Sequence, residues 1–361
     1  MRVKLKDVCE KATSNLKQSD ILSIGGTYPV YGASGYLGNI DSYHQDKPYI
    51  AVVKDGAGIG RTTILPPKSS VIGTMQYLIP KENVMPEYLY YVVKHMRLQK
   101  YYTGATIPHI YFKDYQNEEF NLADSIRQRE IVKVLKNVED TIRYQEIEIN
   151  KFDELIKARF IEMFGDLRIN DKAWDLKTFE EMSVLITDGE HSTPKRTKEG
   201  IYLLSARNVL NHSLQLEDVD YINRDEYLRI AKRVIPKKGD ILISCSGTIG
   251  RCCSVPGYLQ FQMVRSVALI RFKEVINPIF AEYMITSDYL QEQINSSKTM
   301  SSQANLFQGK IKKLKGFLPP IELQDQFADF VRQVDKSREE VKKSLEKTQQ
   351  LYDSLMQEYF G

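Results

Sequence analysis

The three glycines of Gly56-Ala57-Gly58-Ile59-Gly60-Arg61 follow the apolar run Tyr49-Ile50-Ala51-Val52-Val53 and come nearest, in type and spacing, to a cofactor site. A dinucleotide fingerprint needs G-x-G-x-x-G at the start of a helix, where free backbone N–H groups meet the pyrophosphate. Here the spacing is G-x-G-x-G, and Pro66-Pro67 interrupts any helix that would follow. The glycines therefore predict a tight turn. No G-x-x-x-x-G-K-S/T loop is present for a triphosphate. Nor is there an Asn-Pro-Pro-Tyr type of tetrapeptide to hold an adenine amine; Leu318-Pro319-Pro320-Ile321 shares only the prolines. Asp188-Gly189-Glu190-His191 joins two acids to a histidine, but the first half has no matching cluster. His44, His95, His109, His191 and His212 lack metal-ligand spacing, and Cys9, Cys245, Cys252 and Cys253 form no C-x-x-C pair. Catalysis, a cofactor and a metal are not expected, and the thiols should be reduced and partly buried.

What the chain does carry is the turn, twice. Ile59-Gly60-Arg61 returns as Ile249-Gly250-Arg251, again after an apolar run, Ile241-Leu242-Ile243. Arg61 and Arg251 suit either of two roles, capping the turn or touching a phosphate. Phe164-Gly165 closes a long charged helical pattern and Phe360-Gly361 closes another, 196 residues later. At that offset Glu162 meets Glu358, Leu155 meets Leu351 and Gln128 meets Gln324. A duplicated unit presents two similar surfaces, which suits a long and repetitive ligand.

Each globular unit mixes short β-rich runs with helical stretches. Residues 50–53 and 75–80 read as strands and 87–98 as a helix in the first unit. In the second, 201–205, 240–244 and 266–272 read as strands and 280–294 as a helix. Small domains of mixed α/β (α+β) class follow. The long patterns carry a 4-3 spacing, as in Ile131, Leu135, Val138, Ile142 and in Phe327, Val331, Val334. That is a heptad seam, whose partner is another helix. Neither pattern contains Gly or Pro before its closing glycine, and Pro319-Pro320 marks the second entry. At ~38 residues each helix would run ~57 Å. The expected architecture is two similar globular domains separated by two long antiparallel coiled-coil helices, a pseudo-twofold internal repeat. Its boundaries are 1–122, 123–165, 166–318 and 319–361. Gln145, Arg159, Arg338 and Thr348 interrupt the apolar seam, and either fix its register or mark where another subunit docks.

Hydrophobic content of 42% supplies real cores for both units. No apolar run approaches the ~20 residues of a membrane span, and Met1-Arg2-Val3-Lys4 opens no signal segment. A cytoplasmic protein is expected. The net charge of +3 is unevenly held: residues 125–165 are neutral and 321–361 carry −3, which leaves +6 on the remainder. Positive globular units beside balanced helices fit a polyanion.

In their order and duplication, four stretches together resemble the DNA-specificity subunit of type I restriction–modification systems, over nearly the whole chain. They are Tyr28-Pro29-Val30-Tyr31-Gly32; Gly239-Asp240-Ile241-Leu242-Ile243-Ser244 with Gly247-Thr248-Ile249-Gly250-Arg251; Asp188-Gly189-Glu190-His191-Ser192-Thr193-Pro194; and the helix entry Leu318-Pro319-Pro320-Ile321-Glu322-Leu323-Gln324. The first half departs at Ala123-Asp124, where the second has Pro319-Pro320, and lacks a counterpart to residues 188–194. The two units are thus expected to read different sequences.

The resemblance implies two target-recognition domains, each reading one half of a split site in double-stranded DNA. The helices would act as spacer and bind two methylation subunits, with restriction subunits joining through the complex. Adenine N6-methylation and ATP-driven cleavage belong to those partners, so this chain is expected to be a non-enzymatic recognition subunit without a cofactor. Lys and Arg would then sit on phosphates while polar loop residues test base edges. The candidates in the first unit are Arg61, Thr106, His109, Tyr111 and Lys113. In the second they are His191, Lys195, Arg196, Arg207, Asn208 and Arg251, with Lys298, Ser302, Gln303 and Asn305 from the polar stretch 296–305. The competing reading is a protein-binding adaptor with two α/β modules on a coiled coil, which the +6 on the globular parts disfavours. A nuclease or methyltransferase acting alone comes third, for want of a motif.

Overall fold

The computed structural model describes residues 1–21, 26–104, 108–296 and 305–361. The chain divides into two compact units, Met1–Glu148 with Val341–Gly361, and Ile149–Glu340. Both are of mixed α/β class and follow one plan.

In the first unit a four-stranded antiparallel sheet runs in the order Cys9–Thr13, Met75–Pro80, Tyr49–Val53, Thr62–Leu65. The second unit repeats it with Ser183–Asp188, Val267–Phe272, Ile241–Ser244, Cys252–Ser254. A second sheet accompanies each, of three strands in the first unit and four in the second, and in each a short strand joins it in parallel: Ser70–Val71 beside Tyr28–Gly32, and Phe261–Met263 beside Ile201–Leu204. Tyr49–Val53 and Ile241–Ser244 are buried at every position, as strands covered on both faces must be. Alternation still divides their side chains. Ile50 and Val52 join the cluster of the helix Pro86–His95, whereas Tyr49, Ala51 and Val53 join a second cluster with Val71. Ile241 and Ile243 lie likewise with the helix Pro278–Thr286, and Leu242 with Leu204 and Phe261. Each such aliphatic side chain contributes about 1.5–3 kcal/mol on burial.

The helix expected over 280–294 is two helices, Pro278–Thr286 and Asp288–Ser296. Ser287 takes extended backbone between them (φ −62°, ψ 149°), and its hydroxyl donates to the Met284 carbonyl at 2.6 Å. That bond offers the backbone an alternative to continuing the turn. Likewise the helix expected over 87–98 ends at His95, because Arg97 adopts left-handed backbone (φ 49°).

The long helices are Ser125–Phe164 and Ile321–Phe360, each 40 residues, or about 60 Å. Asp124 starts the first by accepting from the Ile126 and Arg127 N–H groups at 3.0 and 2.8 Å, the role of an N-cap carboxylate. Gly165 ends it with φ +78°. Within each unit the helices pair antiparallel. In the first, Glu139 meets Tyr352, Gln145 meets Ser344 and Arg127 lies over the Tyr359 ring. In the second, Asp153 meets Arg338, Arg159 lies over Phe330 and Phe160 meets Phe327. The polar positions Gln145, Arg159 and Arg338 thus contact the opposite helix inside their own unit, whereas Thr348 bonds back to the Ser344 carbonyl.

Candidate nucleic-acid interface

The two glycine turns are built alike. Val53 N–H donates to the Arg61 carbonyl at 2.9 Å, and Gly60 N–H donates to the Val53 carbonyl at 2.8 Å. Ser244, Arg251 and Gly250 make the same pair at 2.9 Å each. Gly60 and Gly250 have φ of +77° and +86°, and a Cβ on Gly60 would stand 2.5 Å from the Gln99 nitrogen. Only glycine fits there without a shift. Arg61 Nη1 donates to the Ala33 carbonyl at 3.0 Å, and Arg251 Nη2 to the Ala206 carbonyl at 3.1 Å. Ala33 and Ala206 lie just after a strand of that second sheet, so both arginines brace the turn against it. Arg61 is exposed; Arg251 is half-buried, and its Nε is enclosed without a partner among the described residues.

Beside the first turn, His109 makes β-bridges to Asp55 and Thr103, and its Nδ1 lies 2.7 Å from Asp55 Oδ1. Burial would raise the Asp55 carboxyl, but hydrogen bonds from His109 and Lys54 hold it below its ordinary range. Tyr111, 49% exposed, stacks near His109 at 6.4 Å, and Lys113 Nζ lies 5.5 Å from the Tyr111 ring. Three candidates, His109, Tyr111 and Lys113, therefore share one surface. Thr106 lies outside the described residues.

In the second unit the loop after Ser183–Asp188 is sewn to the sheet. Gly189 N–H donates to Val267 O at 2.9 Å and Glu190 N–H to Met263 O at 2.8 Å, and a Cβ on Gly189 would meet Met263 O at 2.4 Å. The loop's acids then bind the helix Arg224–Ala231 and the turn beyond it: Glu190 pairs with Arg229 at 3.4 Å and Asp188 with Arg233 at 2.5 Å. The Ser192 hydroxyl bonds Glu190 and holds its carboxyl below the usual range; Arg229 does the same for Glu226. His191 Nε2 lies 2.8 Å from Asp188, and Lys195 N–H donates to Glu226 at 3.1 Å. The Lys195 side chain is exposed, with no ion pair among the described residues.

Arg196 and Arg207 converge on Asp220, at 3.0 and 3.3 Å. Exposed pairs of this kind hold arginines in place for about 0–1 kcal/mol, so a phosphate can compete for them. Asn208 is the exception among the candidates. It is 1% exposed; its Oδ1 accepts from Ser205 N–H and hydroxyl, and its Nδ2 donates to the Gln215 and Asp218 carbonyls. With both ends occupied it braces the loop and offers nothing to a base edge, which corrects the expectation from sequence. Asn305 bridges to Ser246 at the second turn. Lys298, Ser302 and Gln303 lie outside the described residues. Asp55, Asp220, Arg229 and Arg233 were not singled out from sequence. Arg229 lies on the helix Arg224–Ala231 and Arg233 in the turn after it, and no motif in the sequence marks either.

Among the described residues no cluster of His, Cys, Asp or Glu could hold a metal ion, and no helix is long and apolar enough to cross a membrane. All four cysteines are buried and free.

Comparison with known proteins follows the same lines. The type I restriction enzyme MjaVIII specificity subunit of Methanocaldococcus jannaschii is 21% identical over 335 residues, covering 84% of this chain and 77% of that relative. The type I restriction–modification S subunit from M. genitalium shares the fold with a TM-score of 0.62 at 14% identity, covering 100% of this chain and 96% of its own. A chain from a structure on complex assembly and conformational transition of the type I R-M system also scores 0.62, at 12% identity, covering 99% and 97%. The family described as type I restriction modification DNA specificity domain matches residues 1–152 and 172–350, one span for each repeat, and the chain belongs to that family.

Proposed function

We propose that this chain is the non-catalytic recognition subunit of a cytoplasmic type I restriction–modification complex and binds a two-part site in double-stranded DNA. The domain over 1–122 reads one half and the domain over 166–318 the other. The paired helices act as the spacer and carry two methylation subunits, which direct adenine N6-methylation to the site; restriction subunits join through that complex. Within the first domain Arg61, Thr106, His109, Tyr111 and Lys113 face DNA. Within the second His191, Lys195, Arg196, Arg207, Arg251, Lys298, Ser302, Gln303 and Asn305 do so.

The observation that carries this reading is that one turn, braced by Arg61 on Ala33 and by Arg251 on Ala206, is built twice while the side chains around it differ. A repeated scaffold with unlike surface residues suits a ligand whose backbone repeats and whose sequence does not. The test is genomic adenine methylation read by long-read sequencing, with and without the gene. Loss of one two-part motif on deletion is expected; an unchanged methylation pattern in a strain that expressed the active complex contradicts it.

A further inference from the structure

The pair Asp55–His109 has a chemically different counterpart in the second unit. Asp55 sits directly before the glycines of the first turn, and Ser246 directly before Gly247 of the second. Asp55 bridges to His109, and Ser246 bridges to Asn305. In the first unit the hold is reinforced on both sides: Gly56 N–H donates to Pro108 O at 3.0 Å, Ile110 N–H to Lys54 O at 2.9 Å, and His109 and Thr103 exchange backbone bonds at 2.8 Å. The backbone thus delivers one residue to the same place beside each turn. It is an imidazole in one unit and a carboxamide in the other.

The imidazole is also oriented. Asp55 is a carboxylate held in its ionised form, hence an acceptor only. Its Oδ1 lies 2.7 Å from Nδ1, a geometry that favours the Nδ1–H tautomer, in which Nε2 is a hydrogen-bond acceptor. No described residue bonds Nε2, and the His109 side chain is 36% exposed. The charged groups around it are Asp55, Lys54, which binds the other carboxylate oxygen at 2.5 Å, and Lys113 beyond the Tyr111 ring. The Tyr111 ring lies near the imidazole, with centroids 6.4 Å apart and planes inclined by 23°.

We propose that His109, with Asp55 as its positioning residue, selects one base pair of the first half-site by accepting on Nε2 a hydrogen bond from a major-groove amino group, adenine N6 or cytosine N4. This rests on the proposed function and deepens it. Those two amino groups are the only base-edge donors in the major groove, and an acceptor fixed by a second side chain distinguishes adenine and cytosine from guanine and thymine on the strand it faces. Without the Asp55 carboxylate either ring nitrogen can carry the proton, and the distinction is lost. The matching place in the second unit holds Asn305, a carboxamide in place of an imidazole.

The experiment uses the full chain co-expressed with its modification subunit, with methylation of a randomised DNA library as the readout. His109→Ala and Asp55→Ala are each expected to lower discrimination at one base pair of one half-site on the order of 10-fold, with the other half-site unchanged. Asp55→Asn retains discrimination, because an amide oxygen can accept the same bond from Nδ1. His109→Asn, which places the second unit's residue in the first, changes preference at that same base pair and keeps the test open should the alanine variant fail to assemble. An unchanged motif for His109→Asn in an active complex overturns the proposal, as does a uniform loss across all sequences for Asp55→Ala. A wild-type complex that methylates no two-part motif overturns the proposed function and this inference together.

Discussion

Gln128 and Gln324 make the same three hydrogen bonds in the two units. Gln128 Oε1 accepts from Met85 N–H at 2.8 Å, and its Nε2 donates to the Asn83 and Ala123 carbonyls at 3.1 and 2.9 Å. Gln324 accepts from Asn277 N–H at 2.9 Å and donates to Val275 and Pro319 at 3.0 and 2.8 Å. Met85 and Asn277 are the N-cap positions of the domain helices Pro86–His95 and Pro278–Thr286. Each glutamine, 1% and 0% exposed, therefore fastens the first turn of a long helix to the start of a domain helix.

Replacing either glutamine by leucine keeps the volume and orphans one backbone donor and two acceptors. Burying unpaired backbone groups costs about 1–3 kcal/mol for each group left dry. Gln128→Leu and Gln324→Leu should each destabilise its unit by about 3 kcal/mol or more, read as a lower thermal unfolding midpoint. An unchanged midpoint for both would remove this joint from the account.

The second unit separates surface contact from scaffold. Changing Lys195 and Arg196 together to alanine should weaken DNA binding by about 1–3 kcal/mol and flatten its salt dependence. Asn208→Ala should instead lower thermal stability while leaving the preferred sequence as it was, since its side chain is enclosed. Fluorescence anisotropy at two salt concentrations, beside thermal melts, distinguishes them. Intact affinity in the double variant, with intact folding, excludes the two basic residues from the interface.

Two helix acids 196 residues apart respond oppositely to pH. Burial would raise the Glu139 carboxyl, but hydrogen bonds from Lys94 and Tyr352 outweigh it and hold the group below its ordinary range. At Asp335 burial prevails over Arg338, and the carboxyl is pushed up. A depressed folded value stabilises above the unfolded value of about 4.3 and loses that contribution as pH falls through the folded value. A raised value works in reverse: the ionised form costs stability at neutral pH, and the cost fades as pH falls toward about 3.9. Glu139→Gln should thus lower the melting midpoint at pH 7, by less at pH 4. Asp335→Asn should raise it or leave it level at pH 7, again with a smaller difference at pH 4. Melts across that range that show the two variants moving in the same direction at pH 7 contradict this assignment.

Order, duplication and the two long helices were legible in the residues, because heptad spacing and paired turns are local patterns. The pairing of Gln128 with Gln324 across the repeat was visible as well, though not what they bond. The Asp55–His109 contact was not, since 54 residues separate the partners and neither carries a motif. Asn208 misled for a related reason: a polar residue in a polar loop reads as exposed, and only the fold shows four hydrogen bonds enclosing it. The helix break at Ser287 was hidden because serine is tolerated in helices, and its hydroxyl bond to Met284 depends on geometry.

The most direct test of the central claim, that each unit reads its own half of a two-part site, is exchange of residues 1–122 for the corresponding segment of a relative. The methylation motif is then read before and after the exchange. One half-site is expected to change while the other half-site keeps its sequence. A change in both halves, or in neither half of an active complex, would contradict it.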